Sequence, residues 1–468
     1  MAFHFSARSG AIGALLLAAG CMAGESTGGS PELVGGEGSG GGGPGSSQLV
    51  SATNLASDQA GFAGNVDASL VNAWGIVGFQ GWFWVTDNAT GKLSIFDGAG
   101  HPAGAQQGGT GGGMGGMGGG SDQSGQGTGI LNVASDSIDL GEGITGIAVN
   151  DSMAMQMDGT GANAQACGPA NLIVASEKGK LIGVNPGLNP TGGQVLVDRS
   201  SVGAAYLGVA VLDVKAGATC SATGGNCDTP GMGNGSGSGN SQGSGSGSAG
   251  TGNGNGNGNG GTGNVPQAGV LVLAADFFNA RIDVFDEKFN LVTTPMFAAP
   301  ASIPAGFAPF NVAVINGIVY VSFAQQNKEK DDSVAGPGLG FVVAFDVCGN
   351  ALWTAKGAEL DAPWGMVMGG ALAPGALLVG NFGDGHITEI NPKDGTIIGQ
   401  LMTSDSAPLV IDGLWGLALG TGTGLAVQSA QQGAVYFAAG PEDEAHGVFG
   451  VIAPGPAAVP GPGSGSNM

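Results

Sequence analysis

The chain has 468 residues, with 12 Lys and Arg against 35 Asp and Glu, a formal net charge of −23. That balance argues against nucleic acid as a partner, because phosphate binding needs clustered Lys and Arg. It also disfavours docking on an anionic membrane through charge alone.

Residues 11–20 form an apolar run of about ten residues behind Arg8, too short to span a bilayer but right for the core of a signal peptide. Leu17-Ala18-Ala19-Gly20-Cys21 resembles the bacterial lipobox, with Ala18 where Leu is commoner. The resemblance implies a lipoprotein signal peptide over 1–20, cleavage before Cys21 and an acylated thiol anchoring the product in a membrane. An ordinary secreted protein and a buried helix stay open as alternatives. Residues 21–47 are Gly/Ser-rich without apolar periodicity and read as a flexible tether. Two internal blocks, 104–129 and 217–264, and the tail 454–468 have the same character and are expected to be disordered.

Between these segments, over 48–453, one pattern recurs six times. An apolar strand opens at Trp-Gly or an equivalent; a second ends near Asp, Asn or Glu; a third follows a Gly/Asn turn. The openings are Trp74-Gly75, Thr145-Gly146, Leu207-Gly208, Phe310-Asn311, Trp364-Gly365 and Trp415-Gly416. With the two blocks set aside, the period is roughly 40–55 residues, that of a propeller blade. An all-β, six-bladed β-propeller is therefore expected. Leu49-Val50-Ser51 can close the ring by joining the last blade as its outer strand, unless that blade closes by itself. Of the cysteines, Cys220 and Cys227 can form a small disulfide loop in an oxidising compartment. Cys167 and Cys348, in non-adjacent blades, read as separate buried thiols rather than a bridge.

The stretches Asn72-Ala-Trp-Gly-Ile, Trp84-Val-Thr-Asp-Asn88, Ala362-Pro-Trp-Gly365, Gly380-Asn-Phe-Gly-Asp-Gly385 and Ile411-Asp-Gly-Leu-Trp-Gly416 resemble a family of uncharacterised exported bacterial proteins. Ala275-Asp276 through Phe285-Asp286 and Asp331-Asp332 through Gly338 fit the same family in order. The blades resemble NHL-type propellers more loosely. This likeness implies a propeller and export to the cell envelope, at the outer membrane or cell surface. It implies no reaction.

In a propeller, the loops entering the inner strands and the turns after the second strands share one face. This groups Trp74, Trp364, Asp412 and Trp415 with Asp87, Asn88, Glu177, Asp276, Asn381 and Asp384, and His386 just beyond. A ring of carboxylate and amide oxygens there suits Ca²⁺, which takes six to eight such ligands, or a polar small molecule held against the Trp residues. The same Asp, Asn and Gly residues also suit hairpin turns, where they bond their own backbone. His386 is the candidate base beside the channel. No nucleophile elbow, zinc motif or phosphate loop stands out. The expected function is a binding or scaffold module of the cell envelope, with an envelope protein or small molecule as partner. The alternative is a metal-dependent hydrolase or lactonase on the acidic face, by fold analogy.

Overall fold

The computed structural model describes residues 48–103, 135–141, 143–163, 166–215, 269–421 and 427–455. Cys21, the signal peptide and tether, both Gly-rich blocks, Cys220, Cys227 and the tail beyond Gly455 lie outside the described residues.

Six antiparallel sheets stand in a ring. Blade 1 runs Ala73–Phe79, Trp82–Asp87, Lys92–Phe96 and Ser137–Asp139, from the axis outward. Blade 2 runs Ile144–Val149, Leu172–Ser176, Lys180–Val184 and Gln194–Asp198. Blade 3 has three strands, Tyr206–Val214, Gly269–Asp276 and Arg281–Phe285. Blade 4 is Phe307–Ile315, Ile318–Gln325, Gly340–Phe345 and Ala351–Ala355. Blade 5 is Pro363–Met368, Leu377–Asn381, Ile387–Ile390 and Ile397–Gln400. Blade 6 begins with Leu414–Leu419, Val435–Ala439 and Val448–Pro454. The N-terminal strand Val50–Ser57 completes it, pairing antiparallel with Val448–Pro454 from Val50 opposite Pro454 to Ser57 opposite Val448. Closure by the start of the chain removes the open edge that a ring of separate blades would leave.

The second strands explain the two-sided apolar runs. Every residue of Trp82–Asp87, Leu172–Ser176, Leu377–Asn381 and Val435–Ala439 is buried, because each sheet is covered on both faces by its neighbours. The core is accordingly split into clusters between adjacent blades, such as Leu273, Val312, Val321 and Phe345 between blades 3 and 4.

Around the axis the inner strands touch in sequence, and at one level there is no room for side chains. A Cβ on Gly75 would lie 2.7 Å from the Thr145 carbonyl oxygen, one on Gly365 2.5 Å from that of Trp415, and one on Gly416 2.5 Å from that of Trp74. Gly146 likewise abuts Gly208. Blade 4 carries Asn311 at this level; its Nδ2 donates to the Trp364 carbonyl at 2.8 Å, and its side chain fills the space left by Gly208.

All inner strands point the same way along the axis, which gives the disc two unlike faces. The upper face carries the starts of the inner strands and the turns after the second strands. The lower face carries the turns after the first strands. On that lower side the Gln48 N–H donates to the Leu372 carbonyl at 2.9 Å, and the Gly455 N–H to that of Leu49 at 2.7 Å. The Gly-rich blocks leave from the lower side as well, between Ala103 and Ser135 and between Lys215 and Gly269. Cys167 sits there on the two-stranded ribbon Gln156–Asp158/Cys167–Pro169, an addition to blade 2. The thiol is free and exposed, correcting the buried position expected for it. Cys348 is disulfide-bonded to a partner outside the described residues, which corrects its reading as a lone thiol.

Gly365→Ala is expected to lower stability by ~1–3 kcal/mol through overpacking against the Trp415 carbonyl. Gly399→Ala, with open space around its Cβ, serves as the control and should stay within about 0.5 kcal/mol of wild type in urea unfolding.

Candidate functional site

The residues just before the close-contact level turn over the upper end of the channel. Five are large and apolar: Trp74, Leu207, Phe310, Trp364 and Trp415. The sixth is Thr145, whose hydroxyl donates to the Tyr206 carbonyl at 2.7 Å. Trp415 stacks on Trp74 with ring centroids 3.7 Å apart and on Phe382 at 3.9 Å. Trp364 meets Trp74 and Trp415 edge-on at 6.1 and 5.6 Å. Trp74 and Trp415 are fully buried and Trp364 nearly so. The tryptophans therefore plug the channel instead of standing open at its mouth. Below the plug lies a cavity of about 470 Å³ walled by the inner strands, with exposed Asp151 and Thr421 at its lower rim.

A polar network of blades 6, 1 and 2 lies over the plug. The Trp74 indole donates to Asn72 Oδ1 at 2.9 Å, and Asn72 Nδ2 to Asn88 Oδ1 at 3.4 Å. The Asn88 amide faces the Glu177 carboxylate, and its Nδ2 also donates to the Ile144 carbonyl at 3.2 Å. At the other end Asn72 and the Trp415 indole N–H face the carboxyl of Glu444. Glu177 Oε2, Glu444 Oε1 and Trp364 Nε1 are buried and have no hydrogen-bond partner. Such groups carry their full desolvation cost.

The electrostatics follow from that burial. Glu444 is pushed up to about 8, first by desolvation and then by the Asp332 and Glu177 carboxylates; Asn72 and Trp415 oppose the shift. Glu177 is raised mainly by burial, with Asn88 and Lys178 opposing. Carboxylates from blades 2 and 4 thus both act on Glu444 of blade 6 over an aromatic floor.

The segment that delivers Glu444 is strained. Glu442, Asp443 and Glu444 have φ of 57°, 54° and 66°, three successive side-chain-bearing residues in the left-handed region, at ~1–2 kcal/mol each. The turn is held from both sides: the Glu442 N–H donates to Asp412 Oδ2 at 3.0 Å, and His446 Nδ1 lies 2.7 Å from Asp58 Oδ2 beside the closing strand. Strain of this kind collects at functional sites.

The residues expected to form one ring are only partly brought together. Asn88, Glu177, Trp74, Trp364 and Trp415 share the site just described. Asp87 is fully buried behind it, accepts from Ser94 Oγ at 2.6 Å, and is raised well above the usual carboxylate range by burial. Asp276 serves its own turn, accepting from the Ala205 N–H at 3.1 Å and from Asn279 Nδ2 at 2.8 Å. Asn381 donates to the Glu359 carbonyl at 2.8 Å. His386 pairs with Asp384 at 2.9 Å across its own turn in blade 5. Asp412 is exposed and supports the strained turn. Among the described residues, no three His, Cys, Asp or Glu side chains are grouped so as to hold a metal ion. The site also contains Glu444, which sequence reasoning passes over: the run Glu442-Asp443-Glu444 looks like a solvated loop, and only the backbone geometry turns its last member inward.

No family model matches the chain. Three uncharacterized proteins of Acanthamoeba polyphaga mimivirus are similar to it. One is 37% identical over 31% of this chain, a second 32% identical over 32%, and a third 25% identical over 54%. The chain spans 40%, 40% and 38% of their respective lengths. Among solved structures, it is similar to a protein of unknown function from Bacteroides thetaiotaomicron, with a TM-score of 0.42, 9% identity and coverage of 86% of this chain and 76% of that one. It is also similar to a calcium-binding protein, regucalcin, from Agrobacterium tumefaciens, with a TM-score of 0.31, 10% identity and coverage of 64% and 72%.

Glu444 has an ordinary value of 4.5 and a folded value of about 8, so the folded state binds more protons between those limits. Its contribution is fully present below pH 4.5 and is lost as pH rises through 8. Urea unfolding should show wild type losing on the order of a kcal/mol or more between pH 5 and 8, and Glu444→Gln losing distinctly less.

Proposed function

We propose that this chain is an exported, lipid-anchored binding module of the bacterial cell envelope, and that its ligand meets the upper face over the aromatic plug. One observation carries this reading: the buried carboxylate oxygens Glu177 Oε2 and Glu444 Oε1 and the Trp364 indole N–H are left without hydrogen-bond partners on this face. A protein that needed these groups only for stability would gain by pairing them or by replacing them with apolar ones. A ligand bringing both donors and acceptors would satisfy them. Export and anchoring rest on the lipobox-like sequence at Cys21 and on the resemblance to exported bacterial proteins.

A second reading is a hydrolase or lactonase on the same face. It is supported by two nearby carboxyls, of which Glu444 keeps its proton near neutral pH while Glu177 lies under a smaller shift. Such a split suits a general acid beside a base. Calcium, the ion expected of an acidic ring, would find among the described residues only Glu177 and Glu444 as carboxylate ligands here, with both Asn Oδ1 atoms already accepting hydrogen bonds.

Two experiments test the first reading. Labelled palmitate should enter the wild-type chain in a bacterial host, and Cys21→Ser should abolish the label; equal labelling of the two would remove the anchor. A thermal-shift screen of the full chain against calcium chloride, small amines and neutral sugars should give one class that raises Tm by several degrees. Glu444→Gln should lose that shift, whereas hydrolysis of lactones or esters that Glu177→Gln abolishes would favour the enzyme.

A further inference from the structure

We infer that the Glu177/Glu444 site takes the ammonium group of a small primary amine, admitted by movement of the strained turn at residues 442–444. This inference rests on the reading of the upper face as the ligand face and names the chemistry that face selects.

Three observations lead to it. First, the unmet acceptors are two carboxylate oxygens on different blades, Glu177 Oε2 and Glu444 Oε1, with amides between them. An ammonium has three N–H donors that can reach separate acceptors. A divalent metal needs more converging oxygens, and no three acidic, His or Cys side chains among the described residues are grouped for one.

Second, the charge is unbalanced in one direction. Glu444 feels Asp332 and Glu177 from across the plug. Asp412 and Asp58 lie behind its turn, and Glu442 lies within it, 3.7 Å from His446 Nε2. On the basic side, Lys178 relieves Glu177 and His446 is taken up by Asp58 and Glu442 behind the turn. A cation placed between the two glutamates lowers the energy of every carboxylate in the set. The exchange is balanced: one ammonium enters, and the Glu444 proton leaves to solvent.

Third, the part that must move is already the least relaxed part of the face. Residues 442–444 hold three successive left-handed conformations. The exposed Glu442 and Asp443 face solvent while Glu444 closes over Trp415. Swinging this turn outward opens the space that the Glu444 carboxyl fills beside the Trp415 N–H.

Titration calorimetry of the full chain tests the inference. Butylamine hydrochloride, tetramethylammonium chloride and calcium chloride are the probes, each at pH 7 in two buffers of different ionisation heat. Butylamine should bind with release of close to one proton per site. Its affinity should rise about tenfold per pH unit below the Glu444 titration and level off above it. Tetramethylammonium, which has the charge but no N–H, should bind at least about tenfold more weakly. Glu444→Gln should abolish proton release and weaken butylamine at least about tenfold, and Glu177→Gln should weaken binding while keeping release. Wild-type-like melting of either variant suffices to make it informative. Calcium binding that Glu444→Gln removes, with butylamine silent, would overturn the ammonium and leave the binding face standing. Butylamine binding indifferent to both variants would overturn the site. Silence of all probes here, together with no hit in the thermal-shift screen, would overturn both readings.

Discussion

The close approach of six inner strands at one level of the channel is the constraint on which the rest of this structure depends. Backbone meets backbone there, so five of the six positions are Gly, and the sixth is an Asn that bonds its neighbour's carbonyl. The narrow waist forces the preceding residues, which are large, to fold over the axis above it. The plug of Trp74, Trp364, Trp415, Leu207 and Phe310 is thus a consequence of the glycines below it. Interiors pack to crystal-like density, and so many rings in so small a volume leave no through passage.

The plug in turn supplies the low-dielectric floor on which the carboxylates sit. A glutamate over open water would titrate in its usual range; over stacked indoles, with two other carboxylates in reach, Glu444 keeps its proton near neutrality. The left-handed turn that places it there, the buried Asn pair and the unpartnered polar atoms all oppose stability. They persist because the surrounding blades, with fully buried second strands, hold them in place. Local unfavourable features concentrated in one place, on a scaffold that is otherwise consistently apolar inside, separate a site from a defect.

The fold was legible because it is repeated. Trp-Gly or its equivalent at each strand opening, and an apolar run of five to eight residues after it, recur in six copies, and the structure has six sheets in a ring. The closing role of the segment at Val50 was visible too, though from the sequence it competed with self-closure. The site was legible only in part. Position within the repeat put Asn88, Glu177 and the tryptophans on one face, but could not say whether an indole points into a channel or across it. It also gave Asp276 and Asp384 the same standing as Glu177, although both are absorbed by their own turns. Glu444 was hidden because inward direction came from three unusual φ values, which no residue type in Glu442-Asp443-Glu444 announces. Cys167 was misplaced because a ribbon added to one blade breaks the periodicity that burial follows.

The two faces of the disc differ in more than their turns. The chain enters at Gln48 and leaves at Gly455 on the lower side, and the departures at Ala103 and Lys215 are on that side as well. All of these attachment points therefore lie on the side of the disc away from Glu177 and Glu444. The attachment points and the buried carboxylates are set back to back.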